Sequence, residues 1–234
     1  MKSRISDGKF SVIMIILLLV IDQTIKILVK TNMCLHESIE ITPWFFINFI
    51  ENNGMAFGMT FINKMVLSLF RLVLIGIICY YIWLQTKRKA PVGYIFLLSV
   101  IVAGAMGNLF DSMFYGLIFS GSSPFYTSYF VPFGTGYAPF LMGKVVDMFY
   151  FPLVETNFPQ WIPFVGGEHF IFFSPVFNFA DACVSVGVVS LFIFYNKELG
   201  RLTLKKEKVA FQKDCMDDSE KDGKGDSSKA GEVK

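Results

Sequence analysis

The sequence predicts an α-helical membrane protein with four transmembrane helices and a small β-rich element on the outer side of the membrane. The 234-residue chain is 53% hydrophobic and has a mean hydropathy of +0.52, which is too apolar for an ordinary soluble domain. Four of its segments hold the roughly 20 apolar residues that a helix needs to cross a bilayer. Lysine and arginine are concentrated in alternate connecting segments, which is typical of a polytopic membrane protein.

The four predicted helices occupy residues 10–29, 65–84, 92–111 and 175–195. The first of them resembles a secretory signal, because basic residues precede its apolar run. No cleavage site of the small-x-small type follows this run, and Asp22 and Lys26 interrupt its end. We therefore predict that this helix is retained.

The basic residues predict how the chain is oriented in the membrane. They cluster before the first helix, at residues 87–89 and from Lys197 onward, whereas segments 30–64 and 112–174 hold few of them. We therefore expect both termini in the cytoplasm and these two segments on the outer side.

Residues 1–198 are predicted to form one membrane domain, followed by a charged, disordered cytoplasmic tail at residues 199–234. Within the domain, segment 35–62 is rich in β-branched and aromatic residues and is punctuated by Pro43 and an Asn-Asn-Gly turn. This pattern predicts short strands joined by tight turns. Such strands either rest against the bilayer surface or only pack on the helix ends.

Composition argues against two kinds of partner. The net charge of only +2 offers no electrostatic footprint for nucleic acid. The four cysteines show no Cys-x-x-Cys spacing, and the two histidines, His36 and His169, are far apart in the chain. We therefore expect no metal site and no cofactor.

Polar residues inside apolar segments mark the candidate site, because intramembrane ionisable groups are functional hypotheses by default. Asp147 and Asp181 each lie in an apolar stretch with no local group to neutralise them. Two such carboxylates that meet in the fold can share one proton, which is how an aspartic protease activates water. The predicted topology collects further residues near the same outer boundary: Asp22, Lys26, Asn53, Gly54, Asn108, Asp111 and Asn178.

The depth of Asp181 follows from the predicted start of the fourth helix near Pro175, which places this carboxylate roughly 9 Å inside the helix. The supporting residues also have structural interpretations. These are an ion pair of Asp22 with Lys26, hydrogen bonds between helices for Asn108 and Asn178, a helix end at Asp111, and a turn at Gly54. Two other function classes stay open on the residues alone, namely a proton-coupled transporter and a non-enzymatic scaffold.

Five short motifs, in this order, resemble those of the lipoprotein signal peptidase family, also called signal peptidase II. They cover Asp-Gln with a following lysine, Asn-Gly-x-Ala-Phe-Gly, Gly-Asn-x-x-Asp, Val-Val-Asp and Phe-Asn-x-Ala-Asp, at residues 22–26, 53–58, 107–111, 145–147 and 177–181. The resemblance extends over residues 10–197 and includes the four-helix topology.

The resemblance implies an aspartic endopeptidase of the bacterial inner membrane, with Asp147 and Asp181 as catalytic residues at the periplasmic face. It implies removal of the signal peptide from diacylglyceryl-modified prolipoproteins by cleavage before the lipidated cysteine. The implied partners are these lipidated precursors and membrane lipid, and we expect a monomer.

Three features depart from the family pattern. Ser112 stands where the family commonly has an arginine, for which Lys144 or Arg71 is a candidate substitute. Segment 112–146 is long, and its serine and glycine content predicts a mobile outer excursion, of which we expect residues 120–138 to gate substrate entry. Segment 150–174 adds a second outer extension rich in aromatic residues and proline, as in Bacteroidetes-like members.

Overall fold

The computed structural model describes residues 7–53, 64–157, 159–161, 167–172 and 174–199. Residues 1–188 belong to one compact unit, and residues from Val189 onward belong to a second. All the candidate site residues that the structure describes lie in the first unit. The predicted disordered tail, apart from its first residue, and Gly54 lie outside the described residues.

Three helices in the described part of the chain are long and apolar enough to cross a membrane, and their bounds are Asp7–Asn32 (α1), Lys64–Lys87 (α2) and Val92–Ile118. They confirm the first three predicted helices. The fourth predicted helix corresponds to a shorter apolar helix of 16 residues, Phe179–Phe194. It is labelled α5 because the third long helix is divided into α3 (Val92–Phe110) and α4 (Gly116–Ile118).

The predicted start of the fourth helix near Pro175 is wrong. Phe177 forms an antiparallel bridge with Phe149, with hydrogen bonds of 2.7 and 3.0 Å in both directions, so the chain is still extended there. Helix α5 therefore begins only after Asn178. Asp181 consequently lies in the first turn of α5 and not roughly 9 Å inside a helix.

The third helix does not end at Asp111, contrary to one prediction. After α3 (Val92–Phe110) the chain continues as a π-helical turn over Asp111–Tyr115 and a short helix, α4, over Gly116–Ile118. The predicted outer segment 112–174 therefore begins within this helical rod. Such π-helical turns often occur at functional sites because they shift the side chains around them.

A three-stranded antiparallel sheet lies beside the helices, formed by β1 (Ser38–Thr42), β2 (Phe45–Asn52) and β3 (Val145–Tyr150) in that spatial order. The first two strands confirm the predicted β-rich element. Strand β3 belongs to the predicted outer segment 112–174 and is far from β2 in the sequence. Its register with β2 places Asp147 opposite Ile50. A separate two-stranded sheet pairs β4 (Val154–Asn157) with β5 (His169–Phe172).

Residues 119–143, which we call the uncharged segment, fold back on the end of the third helix. Backbone N–H groups of Val131, Gly134 and Ala138 donate to the carbonyls of Ile118, Leu117 and Gly116 at 2.9–3.0 Å. These hydrogen bonds favour a fixed position over the mobility that the serine and glycine content predicts. Gating of substrate entry by this segment stays a prediction.

A buried ion pair joins the uncharged segment to α1 and β2. The fully buried Lys30 ammonium contacts the Glu51 carboxylate, and both bond the Ser122 hydroxyl, at 2.9 and 2.7 Å. Burial alone would raise the pKa of Glu51, but the Lys30 charge, the hydrogen bonds from Lys30 and Ser122 and the Lys144 charge together lower that pKa. Since Glu51 precedes Asn52, the pair also holds the end of β2, where the candidate site begins.

Candidate functional site

Asp147 occupies the middle of β3 and is only 3% exposed. Both of its carboxylate oxygens accept amide hydrogen bonds. The Asn52 side chain donates to one oxygen, and the Asn178 side chain donates to the other at 2.5 Å. The carboxyl group is therefore fixed in position from two sides.

Asp181 is held by the start of α5, where it forms a reciprocal cap with Asn178. The Asp181 backbone N–H donates to the Asn178 side-chain oxygen at 2.9 Å, and the Asp181 carboxylate accepts the Asn178 backbone N–H at 3.3 Å. This arrangement satisfies two N–H groups that a helix start would otherwise leave unpaired. The other carboxylate oxygen accepts the Asn108 amide at 2.7 Å.

Asn178 brings the two aspartates together, because its side chain contacts both residues. The amide oxygen accepts from the Asp181 backbone, while the amide nitrogen donates to the Asp147 carboxylate. Asn178 is itself fully buried. Residues that are far apart in the chain thus meet around a single side chain.

A buried lysine lies behind the aspartates. The Lys26 ammonium is 0% exposed and contacts the carboxylates of Asp22 at 3.0 Å and Asp111 at 2.8 Å. It also donates to the Asn108 side-chain oxygen at 2.8 Å, which orients the Asn108 amide toward Asp181. The predicted Asp22–Lys26 pair is therefore part of a three-helix network and not an isolated contact.

Two residues outside the sequence prediction complete this network. Gln23 donates to Asp111 at 2.9 Å, and its side-chain oxygen accepts the Tyr115 hydroxyl at 3.1 Å. Asp22 accepts the backbone N–H of Ala180 at 3.0 Å and so fixes the first turn of α5. The sequence does mark Gln23 as a candidate site residue, because it is a polar residue beside Asp22 in an apolar helix.

The last residue of β2, Asn52, makes a contact at the site that the sequence analysis did not predict. Asn52 contacts Asp147, whereas the neighbouring Asn53 is exposed. A role for Asn53 and Gly54 stays a prediction. The pairing of β2 with β3 places Asn52 at the site, and no local sequence pattern predicts this pairing.

Ser112 is buried and its hydroxyl bonds the Asn108 carbonyl at 3.1 Å. Of the two candidate substitutes for the arginine of the family pattern, Lys144 pairs with Glu51 at 3.4 Å. Arg71 interacts electrostatically with Asp181, Asp111 and Asp147. This favours Arg71 as the substitute cation.

The surroundings of Asp147 hold a proton there near neutral pH. Burial and the nearby Asp181 charge raise the pKa of Asp147 from its ordinary 3.8 to about 7. Asp181 is only partly buried by comparison. The site can therefore offer a proton donor and a proton acceptor side by side. The described residues include no group of three or more His, Cys, Asp or Glu that could hold a metal.

Gly107 lets three helices approach closely behind the site. A Cβ atom at this position would clash with the Asp22 carboxylate and press on the Ala180 side chain. We expect Gly107→Ala to destabilise the protein by about 1–3 kcal/mol, as overpacking of a tight core does. Thermal unfolding of the purified protein in detergent measures this change.

Gly76 in α2 provides the matched control, because a Cβ atom there meets nothing within 4 Å. Gly76→Ala should leave the unfolding temperature unchanged or slightly higher, as helix propensity favours alanine. Equal stability of the two variants would show that close approach at Gly107 is not needed.

Comparison with known proteins places this geometry in context. The sequence profile of the Signal peptidase (SPase) II family matches residues 14–196. The chain is 50% identical to a lipoprotein signal peptidase of Porphyromonas gingivalis over 201 residues, which is 86% of this chain and 88% of the relative. It is 33% identical to a lipoprotein signal peptidase of Amoebophilus asiaticus over 180 residues, or 74% and 72% of the two chains.

Two solved structures share the fold. Both are described as bacterial membrane enzymes and are 22% identical to this chain. One aligns with a TM-score of 0.52 over 82% of this chain and 90% of its own, and the other with 0.51 over 79% and 90%.

Proposed function

The chain belongs to the signal peptidase II family, and we propose that Asp147 and Asp181 are its catalytic pair. As a member, it is an aspartic peptidase of the membrane that removes signal peptides from prolipoproteins. The observation that carries the assignment of the pair is the contact of one buried amide, that of Asn178, with both residues.

The two carboxyl groups divide the work of activating water. Asp147, the more buried of the two, carries the proton of the pair and acts as the general acid, while Asp181 acts as the general base. Asp181 takes a proton from water as the water oxygen attacks the carbonyl carbon of the scissile bond. Asp147 gives its proton to the carbonyl oxygen, which yields a neutral tetrahedral diol.

Collapse of the diol completes the cleavage. The carbon–nitrogen bond breaks as Asp147 takes back the hydroxyl proton and Asp181 gives its proton to the leaving amine. The products are the signal peptide with a new carboxyl group and a lipoprotein with a free amino group on its cysteine. Proton transfers of this kind contribute roughly 10²–10⁴-fold to a rate.

The other polar residues position the pair. Asn108 and Asn178 donate amide hydrogen bonds to the carboxylates, while Asp22, Lys26 and Asp111 link α1, the third helix and the first turn of α5 behind the pair. Direct contact with the substrate backbone is assigned to Asn53 and Gly54, on the resemblance of their loop to the family motif.

The location of the pair suits a substrate that is partly in lipid. We assign four membrane spans with both termini in the cytoplasm, so that the pair lies at the periplasmic boundary of the inner membrane. There it meets both water and the diacylglyceryl group of a precursor cleaved before its lipidated cysteine. Trp44, which is 54% exposed and stacks on Phe151 at 6.2 Å, offers an aromatic surface for this lipid. A monomer contains every residue of the proposed pair.

Incubation of the purified monomer with a lipidated precursor and with the same precursor lacking the lipid tests this function. We expect cleavage of the lipidated form only, immediately before the modified cysteine, as read by mass spectrometry. Cleavage of both forms, or cleavage at another bond, would contradict the proposed substrate requirement.

The pH dependence of cleavage reports the proton on Asp147. Because the raised pKa of about 7 keeps Asp147 protonated below neutrality, kcat/KM should fall by about tenfold per pH unit above pH 7. A rate that stays flat up to pH 9 would place the required proton elsewhere.

The raised pKa of Asp147 also makes the folded state less stable as pH rises, whereas an ion-paired carboxylate with a lowered pKa makes it more stable. The folded state binds the Asp147 proton more tightly than the unfolded state does, so this residue destabilises the fold progressively as pH rises from about 4 to about 7. Asp147→Asn should remove that dependence, which a comparison of unfolding temperatures at pH 5 and pH 8 measures.

A further inference from the structure

The uncharged segment presents an unusual surface on the outer side of the protein. From Ser112 to Gly143 the sequence contains no Asp, Glu, Lys, Arg or His. Six of the eight aromatic side chains of the uncharged segment are nevertheless exposed. The exposed fractions are 91% for Phe125, 58% for Tyr126, 62% for Tyr129, 58% for Phe130, 72% for Phe133 and 48% for Phe140.

This surface is unlike that of the neighbouring outer element. The β1–β2 hairpin, residues 38–52, exposes Glu40, and the exposed His36 and Glu37 directly precede it. Exposed apolar patches of this kind are rare on surfaces that face only water, and they mark sites of interaction. The two tyrosines combine an apolar ring with a polar hydroxyl, which is the combination enriched where bilayer and water meet.

The depth of the segment follows from its hydrogen bonds. Residues 116–118 form the last turn of a helix that is long and apolar enough to cross the membrane. Val131, Gly134 and Ala138 bond to the carbonyls of that same turn. At 1.5 Å per residue this 27-residue helix is roughly 40 Å long, about the thickness of a bilayer with its headgroup regions. We therefore expect Phe130 and Phe133, which are held beside its last turn, at the level of the headgroups.

We propose that the uncharged segment is a membrane-interface surface. Its exposed aromatic rings lie among the phospholipids of the leaflet that contains the C-terminal end of the third helix. Its occupant is bilayer lipid, because the surface is joined to the end of a membrane-crossing helix and offers no charge for recognising a protein. The Lys30–Glu51 pair, through Ser122, fixes this surface to the helix ends around the site. The proposal does not depend on the catalytic assignment.

Photocrosslinking of the full-length protein in phospholipid nanodiscs tests this location. The probe is p-benzoylphenylalanine, placed at Phe125 or at Phe133, where the exposed side chains leave room for its additional benzoyl group. Phe70, 63% exposed on membrane-crossing helix α2, serves as the lipid-facing reference. Glu40, exposed on β1, serves as the reference on the outer hairpin.

We expect illumination to increase the protein mass by that of one phospholipid at positions 125 and 133, with a yield comparable to that at position 70 and well above that at position 40. A covalent dimer as the main product at positions 125 and 133 would overturn the proposal in favour of an interface between copies. Yields at these positions no higher than at position 40 would overturn it in favour of a water-exposed surface.

Discussion

Replacement of either aspartate by asparagine, Asp147→Asn or Asp181→Asn, is expected to abolish cleavage while the protein still inserts and folds. Each change removes one of the two groups that transfer protons, so the rate should fall by about 10²–10⁴-fold or more. Asparagine keeps the size of the side chain and one acceptor oxygen, so one of the two hydrogen bonds that each carboxylate accepts can persist. The rate of cleavage of a lipidated precursor by purified, detergent-solubilised variants is the measurement.

Stability separates a catalytic role from a structural one. Asp147→Asn removes a buried carboxyl group whose charged form is disfavoured, so its unfolding temperature at neutral pH should equal or exceed that of the wild type. Glu40→Gln makes the same carboxylate-to-amide change on the exposed face of β1 and should alter neither activity nor stability. Wild-type turnover in either aspartate variant would remove that residue from the mechanism.

Much of this architecture could be predicted because membrane proteins display their hydrophobic pattern directly in the sequence. Long apolar runs predict three of the helices, and β-branched and aromatic residues predict β1 and β2. Polar residues stand out against such a background, which is why the pattern singled out Asp147, Asp181 and the residues around Lys26. Their costly burial is itself the signal.

The parts that could not be predicted depend on contacts between distant segments. The start of α5 is set by a bridge from Phe177 to β3, although the apolar run of the sequence begins earlier. Similarly, Asn52 was passed over for its neighbour Asn53 because only the pairing of β2 with β3 decides which amide meets Asp147. The continuation of the third helix beyond Asp111 has the same character, since residues 112–115 contain no proline or glycine that would indicate where the helix ends.

Loss of the buried ammonium in Lys26→Met is expected to have the largest effect on folding. Lys26 is fully buried and compensates two carboxylates that are themselves almost inaccessible to water, Asp22 at 1% and Asp111 at 0% exposure. Removing one partner of a buried ion pair typically costs about 3–5 kcal/mol, because the remaining charge stays buried and unpaired. That loss is a large part of the 5–15 kcal/mol by which a typical protein is stable. Lys9→Met, an exposed change in the same helix, is the control.

A triple variant distinguishes charge compensation from packing. Combining Lys26→Met with Asp22→Asn and Asp111→Asn removes all three charges while nearly preserving volume, so it should recover much of the stability that the single variant loses. Thermal unfolding and protease accessibility in detergent compare the three proteins. If Lys26→Met unfolds like the wild type, or if the triple variant is no more stable than the single one, the helices are held by apolar packing and not by the Lys26 charge. If the triple variant folds yet cleaves poorly, the ammonium acts on the site as well, by aiming the Asn108 amide at Asp181.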